Sequence, residues 1–105
     1  MTQALPAEQR RHMLTRMLEI RYCEERIQEL FLENVIRGTT HLCIGQEGVS
    51  VAMAASIDAP RGDTVTCTYR GHGHALALGI TLESMLAEMM GKEAGCCKGK
   101  GGSMH

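Results

Sequence analysis

Residues 68–79, TYRGHGHALALG, carry the densest set of chemically capable side chains in the chain. Within six residues they place a phenol, a guanidinium and two imidazoles: Tyr69, Arg70, His72 and His74. A guanidinium binds a phosphate or carboxylate through two parallel hydrogen bonds, and the glycines between these residues let the backbone approach such a ligand. The spacing predicts an anion-binding site here and leaves an ordinary surface loop open as the alternative.

Histidines elsewhere in the chain extend this candidate site. The five histidines are His12, His41, His72, His74 and His105. All except His12 lie in loop-like, glycine-flanked stretches of the sequence. Because imidazole changes its protonation near neutral pH, and because loops often carry functional groups, this placement favours a polar site over a packing role.

The last fifteen residues, GKEAGCCKGKGGSMH, hold five glycines and, after Glu93, two lysines and no acid. This composition predicts a flexible loop that faces an anion, with a disordered tail as the alternative. The segment is not a Walker A loop, because residues 95–100 are one residue too short and Gly101 stands where that motif needs Ser or Thr. No G-x-G-x-x-G dinucleotide fingerprint is complete either.

The spacing of six candidate ligands argues against a metal site. These ligands are Cys67, His72, His74, Cys96, Cys97 and His105. Structural zinc sites pair their ligands through short knuckles such as C-x-x-C, whereas two adjacent cysteines do not easily face one ion. We therefore predict no metal ligands and keep a zinc module as a third hypothesis. We also predict no catalytic cysteine, because no recognisable motif ties a cysteine to a histidine.

The front of the chain must position these groups. Apolar residues recur there at three- and four-residue steps, which predicts one long amphipathic helix over residues 7–36 with Gly38 at its C-cap. Glu24 falls within the apolar stripe of this helix. Because an unpaired buried carboxylate is costly, we expect Glu24 to meet an arginine or, as the favoured interpretation, to lie at an exposed edge.

Four further elements follow along the chain. The small, apolar run over residues 45–57 predicts a helix buried on more than one side. Alternation of threonines with apolar residues predicts a short strand over residues 64–69. A third helix is expected over residues 81–90, with Thr81 as its N-cap, and a glycine-rich loop over residues 91–105.

Composition bounds the function classes. The 105 residues carry 11 Lys+Arg against 12 Asp+Glu, a net charge of −1. Nucleic-acid-binding and membrane-surface proteins usually carry a clear basic excess, so this balance argues against both classes. No apolar stretch approaches the roughly 20 residues of a membrane span, and no signal peptide is seen. The five cysteines are an odd number, so we predict reduced thiols and a cytoplasmic location.

Four segments, in order, resemble one known family. They are RYCEERI, HLCIGQEGVSVA, TYRGHGHALALG and GKEAGCCKGKGGSMH. Over residues 13–105 their order and spacing resemble the alpha subunit of the thiamin-diphosphate-dependent dehydrogenase component of 2-oxo acid dehydrogenase complexes, of pyruvate and branched-chain types, and of the related acetoin dehydrogenase.

The resemblance implies an oxidoreductase with an α/β thiamin-diphosphate-binding fold, a parallel sheet covered by helices. It implies a heterotetramer of two alpha and two beta subunits, which decarboxylates a small 2-oxo acid and passes the acyl unit to a lipoyl group on a dihydrolipoyl acyltransferase. The substrate stays open among pyruvate, branched-chain 2-oxo acids and acetoin. A non-enzymatic alternative is a small helical module that binds a beta-like partner.

The resemblance also implies roles for single residues. Tyr69 and Arg70 match the pair expected to contact thiamin diphosphate, with His74 as a further cofactor-binding candidate. The candidate catalytic residues are His41, His72 and His105.

The family's magnesium motif, a GDG segment followed by an Asn, is not in this sequence. We therefore expect residues 1–105 to form an incomplete N-terminal portion of a single domain, mostly helical with one short strand near 64–69. The magnesium ligands are expected downstream of it, and the portion alone is expected to be inactive.

Overall fold

The computed structural model describes residues 3–104. Four α-helices and two short 3-10 helices make up its regular structure: α1 (Ala7–Leu32), α2 (Glu47–Ser56), α3 (His72–Ala77), α4 (Leu82–Met89), and 3-10 helices at Ala59–Arg61 and Gly102–Met104. Helix α1 packs against each of the other three α-helices, and α3 lies between α2 and α4. No helix of the described part of the chain is both long and apolar enough to cross a membrane.

Helix α1 ends four residues before the predicted end at residue 36. Asn34 takes a left-handed conformation with φ 61°, and the backbone N–H groups of Val35 and Ile36 both donate to the Leu30 carbonyl oxygen, at 2.9 and 3.2 Å. Asparagine accepts this conformation more readily than most residues and so closes the helix. The predicted Gly38 cap is therefore wrong, because Gly38 lies in the turn that follows.

The core lies where α1 meets the other helices. Its fully buried members include Ile20 and Ile27 of α1 and the methionines Met85 and Met89 of α4. With three aromatic residues in the whole sequence, flexible methionines fill the irregular space between helices. The core residues of α1 determine which face of this helix packs against the other helices, and the polar residues of the candidate site lie on those helices and the segments between them.

Helix α2 is less buried than predicted for residues 45–57. Only Glu47, Ser50 and Val51 of this helix are buried in the described structure, and Val49 is 66% exposed. Although α1 and α3 both pack against α2, the other residues of α2 are exposed or half-buried, so the helix is not as buried in residues 3–104 as predicted. Its small residues serve one close contact instead. A Cβ atom on Gly73 of α3 would lie 2.8 Å from Ser50 Oγ.

The strand predicted over residues 64–69 is not present in the described structure, where this segment has no regular hydrogen bonding. A strand needs a neighbouring strand to pair its N–H and C=O groups, and residues 3–104 contain none. The described part of the chain is therefore helical. Helix α3, by contrast, was not predicted. Its histidines are flanked by glycines, which disfavour helix interiors, so the sequence indicated a loop. Packing of α3 against α2 overrides the low helix propensity of these glycines.

Helix α4 begins one residue after and ends one residue before the predicted bounds, with Thr81 Oγ1 accepting the Ser84 N–H at 3.2 Å. The loop after it folds back over the helix. Glu88 Oε1 accepts the N–H groups of Cys97 and Gly99 at 2.5 and 3.0 Å. Its Oε2 accepts those of Gly101 and Gly102 at 3.0 and 2.9 Å. These amides face an anion, as predicted, but the anion is a carboxylate of the same chain, which holds the loop against α4.

Candidate functional site

A pocket of about 430 Å³ opens between the 68–70 segment, Cys43 and the facing parts of α2 and α3. Its lining residues are Cys43, Gln46, Val49, Ser50, Thr68, Tyr69, Arg70 and His74. The volume lies in the range of small-molecule sites. All three residues predicted to bind a cofactor, Tyr69, Arg70 and His74, are therefore in one pocket.

Arg70 is held in place by its backbone and by one hydrogen bond. Its φ of 59° is left-handed, a strained conformation for a residue with a side chain. Its NH1 group donates to the Leu42 carbonyl oxygen at 2.6 Å, and its Cζ atom lies 5.8 Å from the centroid of the Tyr69 ring. A guanidinium has five N–H donors, so this anchor leaves several for an anion in the pocket.

His41 joins this group from the segment before α2. The His41 and Tyr69 rings lie with their centroids 5.1 Å apart and their planes tilted by 49°. His41 itself does not line the pocket, and its side chain is exposed. The structure thus places an exposed imidazole beside Tyr69, which lines the pocket. His41 directly precedes Leu42, whose carbonyl oxygen accepts the hydrogen bond from Arg70.

His74 lines the pocket and also carries a buried ring nitrogen without a partner in the described part of the chain. Its Nδ1 atom is buried and has no hydrogen-bond partner within residues 3–104. An unpaired buried polar atom costs free energy, commonly about 1–3 kcal/mol.

His72, a second predicted catalytic histidine, does not line the pocket. His72 is buried in α3 with 2% exposure, and its Nδ1 atom lies 2.7 Å from Glu24 Oε1. Glu24 is wholly buried, which makes the expectation of an exposed edge wrong, and its partner is a histidine rather than an arginine. Sequence reasoning thus missed Glu24 as part of this region, although its place in the apolar stripe indicated burial. His105 lies outside the described residues.

Arg21 of α1 and Glu47, the first residue of α2, form a hydrogen-bonded ion pair that links the two helices. Glu47 Oε2 also accepts the Gly45 N–H at 2.9 Å. The hydrogen bond from Arg21 lowers the pKa of Glu47 to about 2. This pair orients the start of the helix whose residues line the pocket.

The ion pair predicts a defined loss of stability in acid. Because the pKa of Glu47 falls from 4.5 to about 2 on folding, its contribution is fully present above pH 4.5 and is lost as the pH falls towards 2. We expect the difference in free energy of unfolding between the wild-type chain and Glu47→Gln to shrink across this window. Denaturant titrations followed by circular dichroism at a series of pH values measure it. A constant difference would contradict the assignment, since all other carboxylates are common to both chains.

Thiol and metal chemistry find no support at the pocket. Burial raises the pKa of the Cys43 thiol to about 12, so the thiol is protonated at neutral pH and is a poor nucleophile. Among residues 3–104, one group of three potential metal ligands comes together, Glu88 with Cys96 and Cys97, within 4.8 Å of one another. Both oxygens of Glu88 already accept backbone N–H groups. Of the other ligands of the zinc hypothesis, the described residues Cys67, His72 and His74 do not join this group.

The pocket offers an anionic ligand one fixed positive charge. Arg70 supplies this charge, and Tyr69 and the His74 imidazole line the same pocket. No acidic side chain among the described residues lines it.

Comparisons with known proteins point to one family. A family model described as "Dehydrogenase E1 component" matches residues 15–105. The alpha subunit of acetoin:2,6-dichlorophenolindophenol oxidoreductase from Bacillus subtilis is 47% identical over 102 residues, covering 97% of this chain and 30% of the relative. The pyruvate dehydrogenase E1 alpha subunit of Zymomonas mobilis is 48% identical over 90 residues, covering 86% of this chain and 25% of the relative. The human testis-specific mitochondrial form is 44% identical over 89 residues, with 85% and 22% covered. The chain therefore spans less than a third of the length of these relatives.

Proposed function

The chain belongs to the dehydrogenase E1 component family, and we propose that it acts in the alpha subunit of a thiamin-diphosphate-dependent 2-oxo acid dehydrogenase. The reaction is the oxidative decarboxylation of pyruvate or a similar 2-oxo acid, with transfer of the acyl unit to a lipoyl group. Acetoin is the second candidate substrate, because the Bacillus subtilis relative is an acetoin oxidoreductase subunit that matches 97% of this chain. The three relatives reported above are enzyme subunits, which favours an enzymatic role over a non-enzymatic helical module.

The observation that carries the proposal is the placement of Tyr69, Arg70 and His74 in one pocket. When bound, thiamin diphosphate supplies the nucleophilic carbon and the electron sink for decarboxylation. Arg70 binds the diphosphate through the N–H groups that its contact with Leu42 leaves available. Tyr69 packs beside the cofactor, and His74 is the third residue of the pocket that contacts it.

His41 is the residue that we propose for proton transfer, because it lies beside Tyr69 and is exposed. Its imidazole is suited to orient or protonate a substrate oxygen at neutral pH. His72 supports the site from within α3, and His105 is proposed as a further catalytic residue on the family resemblance alone. Magnesium would clamp the diphosphate, and no group of three ligand side chains among residues 3–104 gathers at the pocket. We therefore place its ligands in other residues.

The same proposal extends to fold and partners. We propose that these helices belong to an α/β thiamin-diphosphate-binding fold that assembles with a beta subunit and is served by a lipoyl-bearing acyltransferase. Exposed apolar side chains support a covering partner. Leu14, Leu18 and Tyr22 of α1 are 56%, 45% and 64% exposed, and they follow one another at four-residue steps on one face.

Replacement of Arg70 tests the proposed function. In an alpha subunit of the relatives' length that carries this sequence, assembled with a beta subunit, we expect Arg70→Ala to raise the Kd for thiamin diphosphate about 10- to 150-fold, the loss of a hydrogen bond to a charged group. Turnover at saturating cofactor should change little. Isothermal titration calorimetry measures the Kd, and a decarboxylation assay measures turnover.

A matched control is Arg61→Ala, because Arg61 is 86% exposed and lies outside the pocket. It should leave both quantities at their wild-type values. If Arg70→Ala lowered turnover sharply at saturating cofactor while the Kd stayed constant, the assignment of Arg70 to the diphosphate would be wrong.

A further inference from the structure

Glu24 is a buried carboxylate that the proposed function does not use. It lies in α1 with 0% exposure, next to the buried Cys23 and one turn before the buried Ile27. A charge in such a place is strongly destabilising unless it is hydrogen-bonded on each side. Its retention in the middle of the apolar stripe therefore calls for specific partners.

Each carboxylate oxygen of Glu24 meets a different segment of the chain. Oε1 lies 2.7 Å from His72 Nδ1, in the first turn of α3. Oε2 accepts the backbone N–H of Cys43 at 3.1 Å, in the segment that leads to α2. One side chain of α1 thus holds two of the segments that border the pocket, the one that includes Cys43 and the start of α3.

The contact with Cys43 reaches the residues of the proposed site directly. Cys43 lines the pocket, and the carbonyl oxygen of the preceding Leu42 accepts the hydrogen bond from Arg70. The 41–43 segment is therefore held by Glu24 on one side and by Arg70 on the other. A shift of this segment would move the anchor of Arg70 and the ring of His41 together.

The contact with His72 fixes where that imidazole carries its proton. A carboxylate only accepts hydrogen bonds, so His72 Nδ1 must be the donor, and in the neutral ring Nε2 is left unprotonated. The reverse arrangement needs a protonated Glu24 that donates to Nδ1. The two arrangements differ in a property that can be measured on the chain itself.

We propose that Glu24 is a positioning residue of this site, whose carboxylate fixes the Nδ1–H tautomer of His72 and holds the 41–43 segment against Arg70. This inference rests on the proposed function in its account of what the site binds. The local pairing, by contrast, stands on the geometry alone. Glu24 itself touches neither cofactor nor substrate.

The first test reads the tautomer. The chain is labelled with ¹⁵N-histidine, and ring nitrogen shifts are measured by two-dimensional NMR with His72 assigned through the backbone. In the wild-type chain we expect a protonated Nδ1. Glu24→Gln keeps the size of the side chain but turns one acceptor into an amide donor, so we expect the His72 proton to move to Nε2.

Glu25→Gln is the matched control, because Glu25 is the exposed neighbour of Glu24, and it should leave the His72 signals unchanged. An unprotonated Nδ1 in the wild-type chain overturns the proposal, and this result does not depend on any variant folding. An unchanged tautomer in folded Glu24→Gln overturns it as well.

The second test reads the site in the assembled enzyme. We expect Glu24→Gln to lower turnover about 10- to 100-fold through displaced site residues, whereas Glu25→Gln stays at the wild-type rate. If Glu24→Gln changed the tautomer but matched Glu25→Gln in turnover and in Kd for thiamin diphosphate, the positioning role would be overturned. Failure of the proposed function is a separate result, seen as a wild-type enzyme that binds no thiamin diphosphate.

Discussion

Replacement of Glu88 by glutamine is expected to release residues 97–102 from α4. The wild-type carboxylate accepts four backbone N–H groups, two on each oxygen. Burial raises the pKa of Glu88, but these four hydrogen bonds together lower it below its ordinary value, so the group is ionised at neutral pH. In Glu88→Gln the amide nitrogen faces two N–H donors, and two hydrogen bonds become repulsive contacts.

The expected size of this effect follows from the two lost bonds. A hydrogen bond to a charged group contributes about tenfold or more to an equilibrium constant, so amide exchange of residues 97–102 should accelerate about a hundredfold or more. Hydrogen–deuterium exchange with mass spectrometry measures it. Glu83→Gln is the control, because Glu83 is exposed on the same helix. Wild-type exchange in Glu88→Gln would show that packing, and not the carboxylate, holds the loop.

The glycines of this loop show how far a sequence pattern reaches. Their density predicted a backbone that approaches an anion, and the amides of Gly99, Gly101 and Gly102 do so. The identity of the anion was not predictable from local composition, because it is set by how the chain folds back over α4. Close approach is needed there, since a Cβ atom on Gly95 would lie 2.5 Å from the Cα atom of Glu88.

The candidate site divides in the same way into local and long-range parts. Tyr69 and Arg70 are neighbours in sequence, so their types and spacing are enough to indicate a site. The link from Arg70 to Leu42 spans 28 positions, and that from His72 to Glu24 spans 48. Helix periodicity placed Glu24 on the apolar face of α1, but it carries no information on which distant group meets the carboxylate.

The predicted strand at residues 64–69 failed for a related physical reason. Alternation describes one strand, whereas a sheet forms only when a second strand supplies hydrogen-bond partners. Helix α3 was missed because glycine propensity is a local quantity, and the contact of Gly73 with Ser50 is not. Helices α1 and α4 were found because their apolar residues recur with helical periodicity over their whole length.

Replacement of His41 is expected to have the largest effect on catalysis. The His41 side chain is exposed beside Tyr69, and no hydrogen bond that holds Arg70 or Glu24 passes through it, since those contacts use the backbone of Leu42 and Cys43. Removal of the imidazole should therefore leave the pocket intact. If His41 transfers or stabilises a proton, its loss should lower turnover about 10²- to 10⁴-fold.

The assay for His41→Ala is single-turnover decarboxylation of pyruvate at saturating thiamin diphosphate, with the cofactor Kd measured in parallel. His41→Gln keeps a polar side chain that does not titrate, so it should be as slow as His41→Ala. His12→Ala is the control, because His12 is exposed on α1 and far along the chain from the pocket residues. A variant with a wild-type rate and a raised Kd would reassign His41 to cofactor binding, because a proton-transfer group acts on the rate of the bound complex and not on the affinity that forms it.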